Sequence, residues 1–303
     1  RSAADAHILV VNHNLLLADL HMKYDTGGVG VLPRFDRIVL DEGHHLEDAA
    51  TLLFEDRVGI EGIRRAIRPL LPTKRNRQGV LGKIHSKYLC GAGPLDPDET
   101  ESATTHLTEL SDAASQLMAD TPSWFEAIAD ATKLVDVSPQ RTTREYRSNP
   151  NWSHQLVPQL NSVASAIHRT LRPLDRLLDT LEGLPHTVRT TDAQLLFDLV
   201  RARRRLGDKA KSLANFHGSA IPDESDTLGG EESWVSWLDL DRGHRSAPAA
   251  RLCMAPVDVG PLLRDRVFEA LPASVVTSAT LTVAKQFDHL STRIGLTHCE
   301  RVT

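Results

Sequence analysis

Ile38-Val39-Leu40-Asp41-Glu42-Gly43-His44 is the stretch on which the reading of the fold turns. A β-branched apolar run that stops abruptly at two carboxylates and a histidine reads as a buried strand with its carboxyl end in solvent. In open α/β sheets, ligands collect at that end of the strands. An aspartate at a strand tip can hold Mg²⁺, and the next carboxylate can orient and deprotonate an attacking water during phosphoryl transfer. Asp41 and Glu42 fit those two roles. The bland alternative is an acidic turn that caps a strand and does no chemistry.

A second stretch near the other end of the chain has the same form. Val275-Val276-Thr277-Ser278-Ala279-Thr280-Leu281 is an apolar strand running into small hydroxyl residues. Alone it reads as a strand ending in a hydroxyl turn. Two buried strands that each end in a polar motif, in this order, are much harder to obtain by accident.

Outward from the first motif, His7-Ile8-Leu9-Val10-Val11 predicts another strand, Asn14–Leu20 a short helix, and Gly27, Gly28 and Gly30 a turn, giving the order β, α, β. Continuous apolarity suits parallel strands covered on both faces. From about Leu46 to Phe216 the texture is helical. Ala103, Leu107, Leu110, Ala114 and Leu117 recur at helical steps, as do Leu160, Ala164, Ile167, Leu171, Leu174, Leu178 and Leu181. Leu196, Leu199, Leu206, Ala210 and Leu213 form a third stripe broken by Arg203. Such stripes are helix-bundle core rather than a cofactor site. Thr121-Pro122 predicts the start of a further helix carrying Trp124, Phe125 and Ile128. Gln140–Pro150 and His217–Glu232 read as loops. Strands return at Trp234–Leu238 and Arg251–Ala255, with a helix at Pro261–Leu271 and a strand at Ser274–Thr277. The expected architecture is an α/β sheet domain built from the two ends of the chain and interrupted by a large helical insertion.

At this point the sequence resembles the DinG/XPD-like helicases of superfamily 2. The resemblance rests on Asp41-Glu42-Gly43-His44-His45-Leu46-Glu47-Asp48, similar to the family's DEAH or DEGH box. It extends to Ala4–Leu16 before the box, to Ala255-Pro256-Val257-Asp258-Val259-Gly260, to the SAT motif Thr277-Ser278-Ala279-Thr280-Leu281, and to Phe287, Leu290 and Ile294-Gly295-Leu296. Gly43 in place of alanine is closer to the bacterial DinG branch. The resemblance implies part of a RecA-like P-loop NTPase domain with a parallel sheet, interrupted by a mainly helical Arch-like insertion. Residues 1–55 and 233–303 would belong to the RecA-like domain and 56–232 to the insertion.

By resemblance, Asp41 engages Mg²⁺-ATP, Glu42 activates the hydrolytic water, and His44 couples the nucleotide site to movement on DNA, with Ser278, Ala279 and Thr280 of the SAT motif sharing in that coupling. The implied protein is a cytoplasmic, monomeric, ATP-dependent motor translocating 5′ to 3′ on single-stranded DNA in DNA repair. Its alternative is a non-catalytic nucleic-acid- or protein-binding module derived from a helicase. No G-x-x-x-x-G-K-[ST] phosphate loop occurs in the 303 residues. The chain, which opens without Met, is therefore read as a piece of a larger polypeptide, unable to hydrolyse ATP by itself without that loop and the second motor domain. Many family members also hold a 4Fe-4S cluster, whose ligands would lie outside this segment.

Composition agrees with a globular chain but gives no global nucleic-acid signature: 41% hydrophobic residues, 25% charged, net charge −5. DNA contact must therefore be local. Arg201, Arg203, Arg204 and Arg205 form one basic cluster, Arg141, Arg144 and Arg147 lie near Tyr146 and Trp152, and Lys74, Arg75 and Arg77 form a third. Asn12 and His13 are candidates by resemblance. The bland reading of each cluster is a solvated helix face. Cys90, Cys253 and Cys299 are too scattered for a C-x-x-C pair, and His44-His45 has no partner at zinc-ligand spacing. No apolar run is long enough for a membrane span.

Overall fold

A computed structural model describes residues 3–26, 28–74, 76–90, 94–218, 234–241, 247–280 and 287–296. The protein is mixed α/β and mostly helical, with a small parallel sheet. It divides into two compact units: residues 1–55, 222–235 and 255–303 form the first, 56–221 and 236–254 the second.

The first unit opens with helix α1 (His13–Thr26), strand β1 (Arg37–Leu40) and helix α2 (Leu46–Phe54). The expected strand at His7–Val11 is not formed. Those residues are coil, with Ile8 and Val10 84% and 91% exposed. A strand exists only through its ladder, and no described strand pairs with this run, so its backbone stays hydrated. Asn12 then starts α1, its Oδ1 accepting from Leu15 N at 2.9 Å. Gly28, at φ 117°, supplies the turn after α1, whereas Gly27 lies outside the described residues. The buried Asp19 of α1 accepts from Leu32 N at 2.7 Å and from Val31 N, fixing the segment that leads into β1.

The second unit begins with strand β2 (Asp56–Val58) and helix α3 (Ile60–Ile67), followed by the long helix α4 (Pro97–Ala131). Asp96 and Glu99 close a reciprocal capping box at the start of α4. The helix runs straight through Thr121-Pro122, where a new helix was expected. Phe125, Ile128 and Ala129 continue the buried stripe of Leu107, Leu110, Ala114 and Leu117, and burying that stripe outweighs the missing proline N–H. The Thr121 hydroxyl turns inward and donates to the Leu117 carbonyl.

Beyond α4, Gln140–Arg141 forms strand β3, and Thr143 caps a short helix at Arg144–Ser148, where a loop was expected. Helices α5 (Val157–Glu182) and α6 (Ala193–Gly218) complete the bundle. Helix α5 packs between α4 and α6, burying Leu160, Ile167, Leu174, Leu178 and Leu181 as the periodicity predicts. Arg203, the break in the third stripe, points out of the core to Asp175 at 2.9 Å.

Strands β4 (Trp234–Asp241) and β5 (Ala249–Pro256) form where strands were expected but join a different sheet. The order is β2-β5-β4-β3, with β2 antiparallel to β5 and β3 antiparallel to β4. Asp56 stands opposite Met254, so the second unit's chain enters and leaves on paired strands. The expected surface linker at His217–Glu232 lies almost wholly outside the described residues.

The chain then returns to the first unit through helix α7 (Gly260–Leu263), which runs on into a wider turn through Phe268, strand β6 (Ala273–Val276) and helix α8 (Asp288–Arg293). Strand β6 lies parallel to β1, in the register Leu40↔Val276. Ile38 and Leu40 enter a core with Leu16, Leu17, Leu20, Leu46, Leu263 and Ile294. The expectation of strands covered on both faces fails on the other side, where the register pair Val39 and Val275 is 70% and 56% exposed.

Asp192 ties the second unit's connections together. It receives hydrogen bonds from Lys87 and from the Tyr88 hydroxyl, the latter at 2.6 Å. Burial opposes its ionisation, but these hydrogen bonds and the Lys87 charge outweigh that and hold its pKa below the ordinary value. A carboxyl with a lowered folded-state pKa contributes stability above its unfolded pKa and loses it as pH falls through the folded one. Asp192→Asn should therefore be less stable than the parent at pH 7, and the difference should shrink below about pH 4. Urea unfolding at both pH values measures this.

Candidate functional site at two adjoining strand tips

Parallel pairing in register brings the carboxyl ends of β1 and β6 side by side. The ladder continues past both strands. Thr277 N donates to Leu40 O at 2.8 Å and Gly43 N to Thr277 O at 2.9 Å. The two motifs singled out in the sequence are thus joined by their own backbones.

Three side chains converge there. Ser278 Oγ lies 2.7 Å from His44 Nδ1 and 3.3 Å from Glu42 Oε2, and Glu42 Oε2 is 3.3 Å from His44 Nδ1. A hydroxyl has one proton to give. With Ser278 donating to Glu42, His44 must carry its proton on Nδ1 to complete the triangle. Thr280 N donates to Ser278 Oγ at 3.3 Å, which fixes the hydroxyl from behind. The sequence-predicted residues Glu42, His44, Ser278 and Thr280 therefore form one contiguous group, with Ala279 in the turn between the last two. Leu281 lies outside the described residues.

Glu42 sits at φ 52°, ψ 46°, a left-handed conformation that side chains with a Cβ rarely adopt. The β1/β6 register, carried on by two residues, sets Glu42 level with Ser278, and the kink carries backbone strain at the point where the two side chains meet. Asp41 Oδ1 accepts from Glu42 N at 2.9 Å, tightening the same kink.

Asp41 is exposed at the strand tip, with its second carboxylate oxygen unengaged among the described residues. Mg²⁺ commonly takes one or two carboxylates and fills its shell with water and substrate phosphate. One aspartate at a strand tip fits that donor set. Among the described residues no group of three or more His, Cys, Asp or Glu side chains forms a complete protein cage. Of the three cysteines, Cys90 is exposed, Cys253 is buried and Cys299 lies outside the described residues.

Two features of the site had no signal in the sequence. Arg293 of α8 forms an ion pair with Glu47 in the first turn of α2, Nε to Oε2 at 3.0 Å, anchoring the helix that follows the acidic motif. Asn12, His13 and Asn14 share a hollow with His45, Asp48 and Leu52. The candidate pair Asn12 and His13 thus borders the acidic-motif helix, although Asn12 Oδ1 is already used as a cap.

The basic clusters separate. Arg147 is inside the second unit, its guanidinium 4.9 Å over the Trp152 ring and donating to Phe216 O at 3.1 Å and Ser236 Oγ at 3.0 Å. Trp152 itself is buried and offers no face for stacking. Arg144, Arg201 and Arg204 are exposed, as are Lys74 and Arg77, while Arg75 lies outside the described residues.

The chain is similar to proteins named as helicases. Within that class the likeness is to DinG. The chain is 23% identical over 307 residues to the Bacillus subtilis protein named 3′-5′ exonuclease DinG, covering 97% of this chain and 29% of that relative. It is 40% identical over 92 residues to the ATP-dependent helicase DinG of Mycobacterium tuberculosis, 30% of this chain and 12% of the relative. A stretch of 54 residues, 18% of this chain and 8% of the relative, is 41% identical to the ATP-dependent DNA helicase YoaA of Escherichia coli. The chain thus spans under a third of each relative. No family model matches it. Among the described residues no helix is long and apolar enough to cross a membrane.

Removing the Glu42 Cβ should relax its left-handed backbone. Glu42→Gly should raise stability by about 1 kcal/mol even though two side-chain contacts are lost. Urea denaturation decides this, and an unchanged or lower midpoint would mean that the contacts to Ser278 and His44 outweigh the strain.

Proposed function

We propose that this chain is the part of an ATP-dependent DNA helicase motor in which nucleotide hydrolysis is coupled to movement on single-stranded DNA. The observation that carries the reading is the Glu42–Ser278–His44 triangle, because one hydroxyl links an acidic strand tip to a second motif 236 residues away. In this reading the first unit is the RecA-like part and the second the Arch-like insertion. Asp41 would hold the nucleotide's Mg²⁺, which would neutralise charge on the phosphates. Glu42 takes the proton from the water that attacks the terminal phosphate.

Ser278 and His44 hold the Glu42 carboxylate in position. A shift of the β6 tip relative to the β1 tip would lengthen the contacts of Ser278 and release Glu42, which is how movement and hydrolysis would be linked. Ala279 and Thr280 belong to that moving tip. Asn12, His13, Arg144, Arg201 and Arg204 supply candidate DNA contacts. Arg147, also a candidate from the sequence, is the weakest because of its internal bonds. Polarity from 5′ to 3′, a role in DNA repair, a cytoplasmic location and a monomeric motor follow from the resemblance.

The chain by itself should release no phosphate from ATP above background, because it contains no G-x-x-x-x-G-K-[ST] loop. In the full-length polypeptide that carries it, single-stranded DNA should stimulate phosphate release. Glu42→Gln should lower the stimulated kcat by about 10²-fold or more, as expected for loss of a general base. The same rate with and without Glu42 would sink this mechanism in favour of a binding module derived from a helicase.

A further inference from the structure

The second unit contains no recognised motif, yet two of its helices collect cations from distant parts of the sequence. Helix α3 packs against α6, and Arg205 Nη1 donates to the Arg65 carbonyl at 3.5 Å. Arg201 and Arg205 stand one turn apart on the same row of α6 and so present like charges side by side. Burial, together with the guanidiniums of Arg201 and Arg65, pushes the Arg205 pKa down from its ordinary value.

Neighbouring cations are neutralised within the unit. Arg203 pairs with Asp175, Lys209 with Asp56 and Arg64 with Glu61. Among the described residues, Arg65, Arg201 and Arg205 have no carboxylate within ion-pair reach. Packing the two helices forces these three charges together, which costs stability that a bound polyanion would offset. Phe197, one turn before Arg201 on the same row, is 57% exposed. Phe197 to Arg205 spans about 12 Å along the axis, the length of about three phosphates at the stacked spacing of ~3.4 Å.

We propose that the α3/α6 face formed by Arg65, Arg201, Arg205 and Phe197 is a contact surface for single-stranded nucleic acid, built entirely within the helical unit. Guanidiniums neutralise successive phosphates, and the exposed ring offers a stacking surface to a base. That pairing of a cationic track with an aromatic face is how single strands are held without sequence preference. An acidic protein would use the charges and have no need of the ring. The inference rests on nucleic acid being the partner of this chain, but not on ATP hydrolysis.

The test is fluorescence anisotropy of a labelled oligothymidylate with the whole chain across a KCl series, with each variant's thermal unfolding checked against the parent. The double variant Arg65→Gln/Arg201→Gln should bind at least tenfold more weakly, and its slope of log K against log salt should fall by about 1.4, at ~0.7 per phosphate contact. Phe197→Ala should weaken binding about five- to a hundredfold with the slope unchanged, the signature of lost stacking. Arg203→Gln, whose charge is already paired, should bind as the parent does. Parent-like binding by both the double variant and Phe197→Ala would overturn this surface and leave nucleic acid as the partner. Absence of binding by the parent would overturn the partner itself. Competition by oligoglutamate as effective as by unlabelled oligothymidylate, with no effect of Phe197→Ala, would overturn it in favour of an acidic protein.

Discussion

The parallel ladder between β1 and β6 is the constraint on which the candidate site depends. It aligns two strand ends whose motifs are 236 residues apart, and without it Glu42 and Ser278 have no reason to meet. Closing so long a flexible loop would cost about 5 kcal/mol of chain entropy. The second unit lowers that cost by folding. Its entering and leaving strands are paired, Asp56 opposite Met254, so the loop that β1 and β6 close is effectively a few tens of residues. On the same scaling this reduces the closure cost by about 1–2 kcal/mol. A large insertion is tolerable between the two motifs because its ends already lie together.

At the strand tips, the conformation of one residue separates a solvated acidic turn from a chemical site. Both residues of the acidic pair are exposed, but Glu42 occupies the left-handed region, and its carboxylate meets a hydroxyl from the segment that follows the neighbouring strand. Strain of this sort persists only where the surroundings impose it. Here they do so through the Gly43–Thr277 backbone bond on one side and the Asp41 carboxylate on the other.

The helical unit illustrates how burial separates residues of one chemical type. Arg147 and Arg201 look alike in sequence, each within an arginine-rich run. Arg147 lies over Trp152 and donates to Phe216 O, near the end of α6, so its charge is spent internally. Arg201 faces solvent beside Arg205, with no ion pair among the described residues. Composition could count these arginines but not sort them, because pairing depends on which helices pack together.

Periodicity decided most of the helices. Leu110, Leu117, Ile167, Leu174 and Leu206 are buried because a leucine at every third or fourth position has one way to leave water, and that signal is local. The pair of strand motifs was legible for the same reason, since each apolar run and the polar residues that follow it are contiguous. Contacts between segments were beyond the reach of the sequence. Tertiary structure left His7–Val11 without a strand partner, carried α4 through Pro122, and placed β4 and β5 with β2 and β3 rather than with β1. It likewise brought Ser278 to Glu42, Arg293 to Glu47 and Arg65 to Arg205. Local patterns report which side chains must be buried, whereas the partner that buries or neutralises each one is chosen by packing between residues remote along the chain.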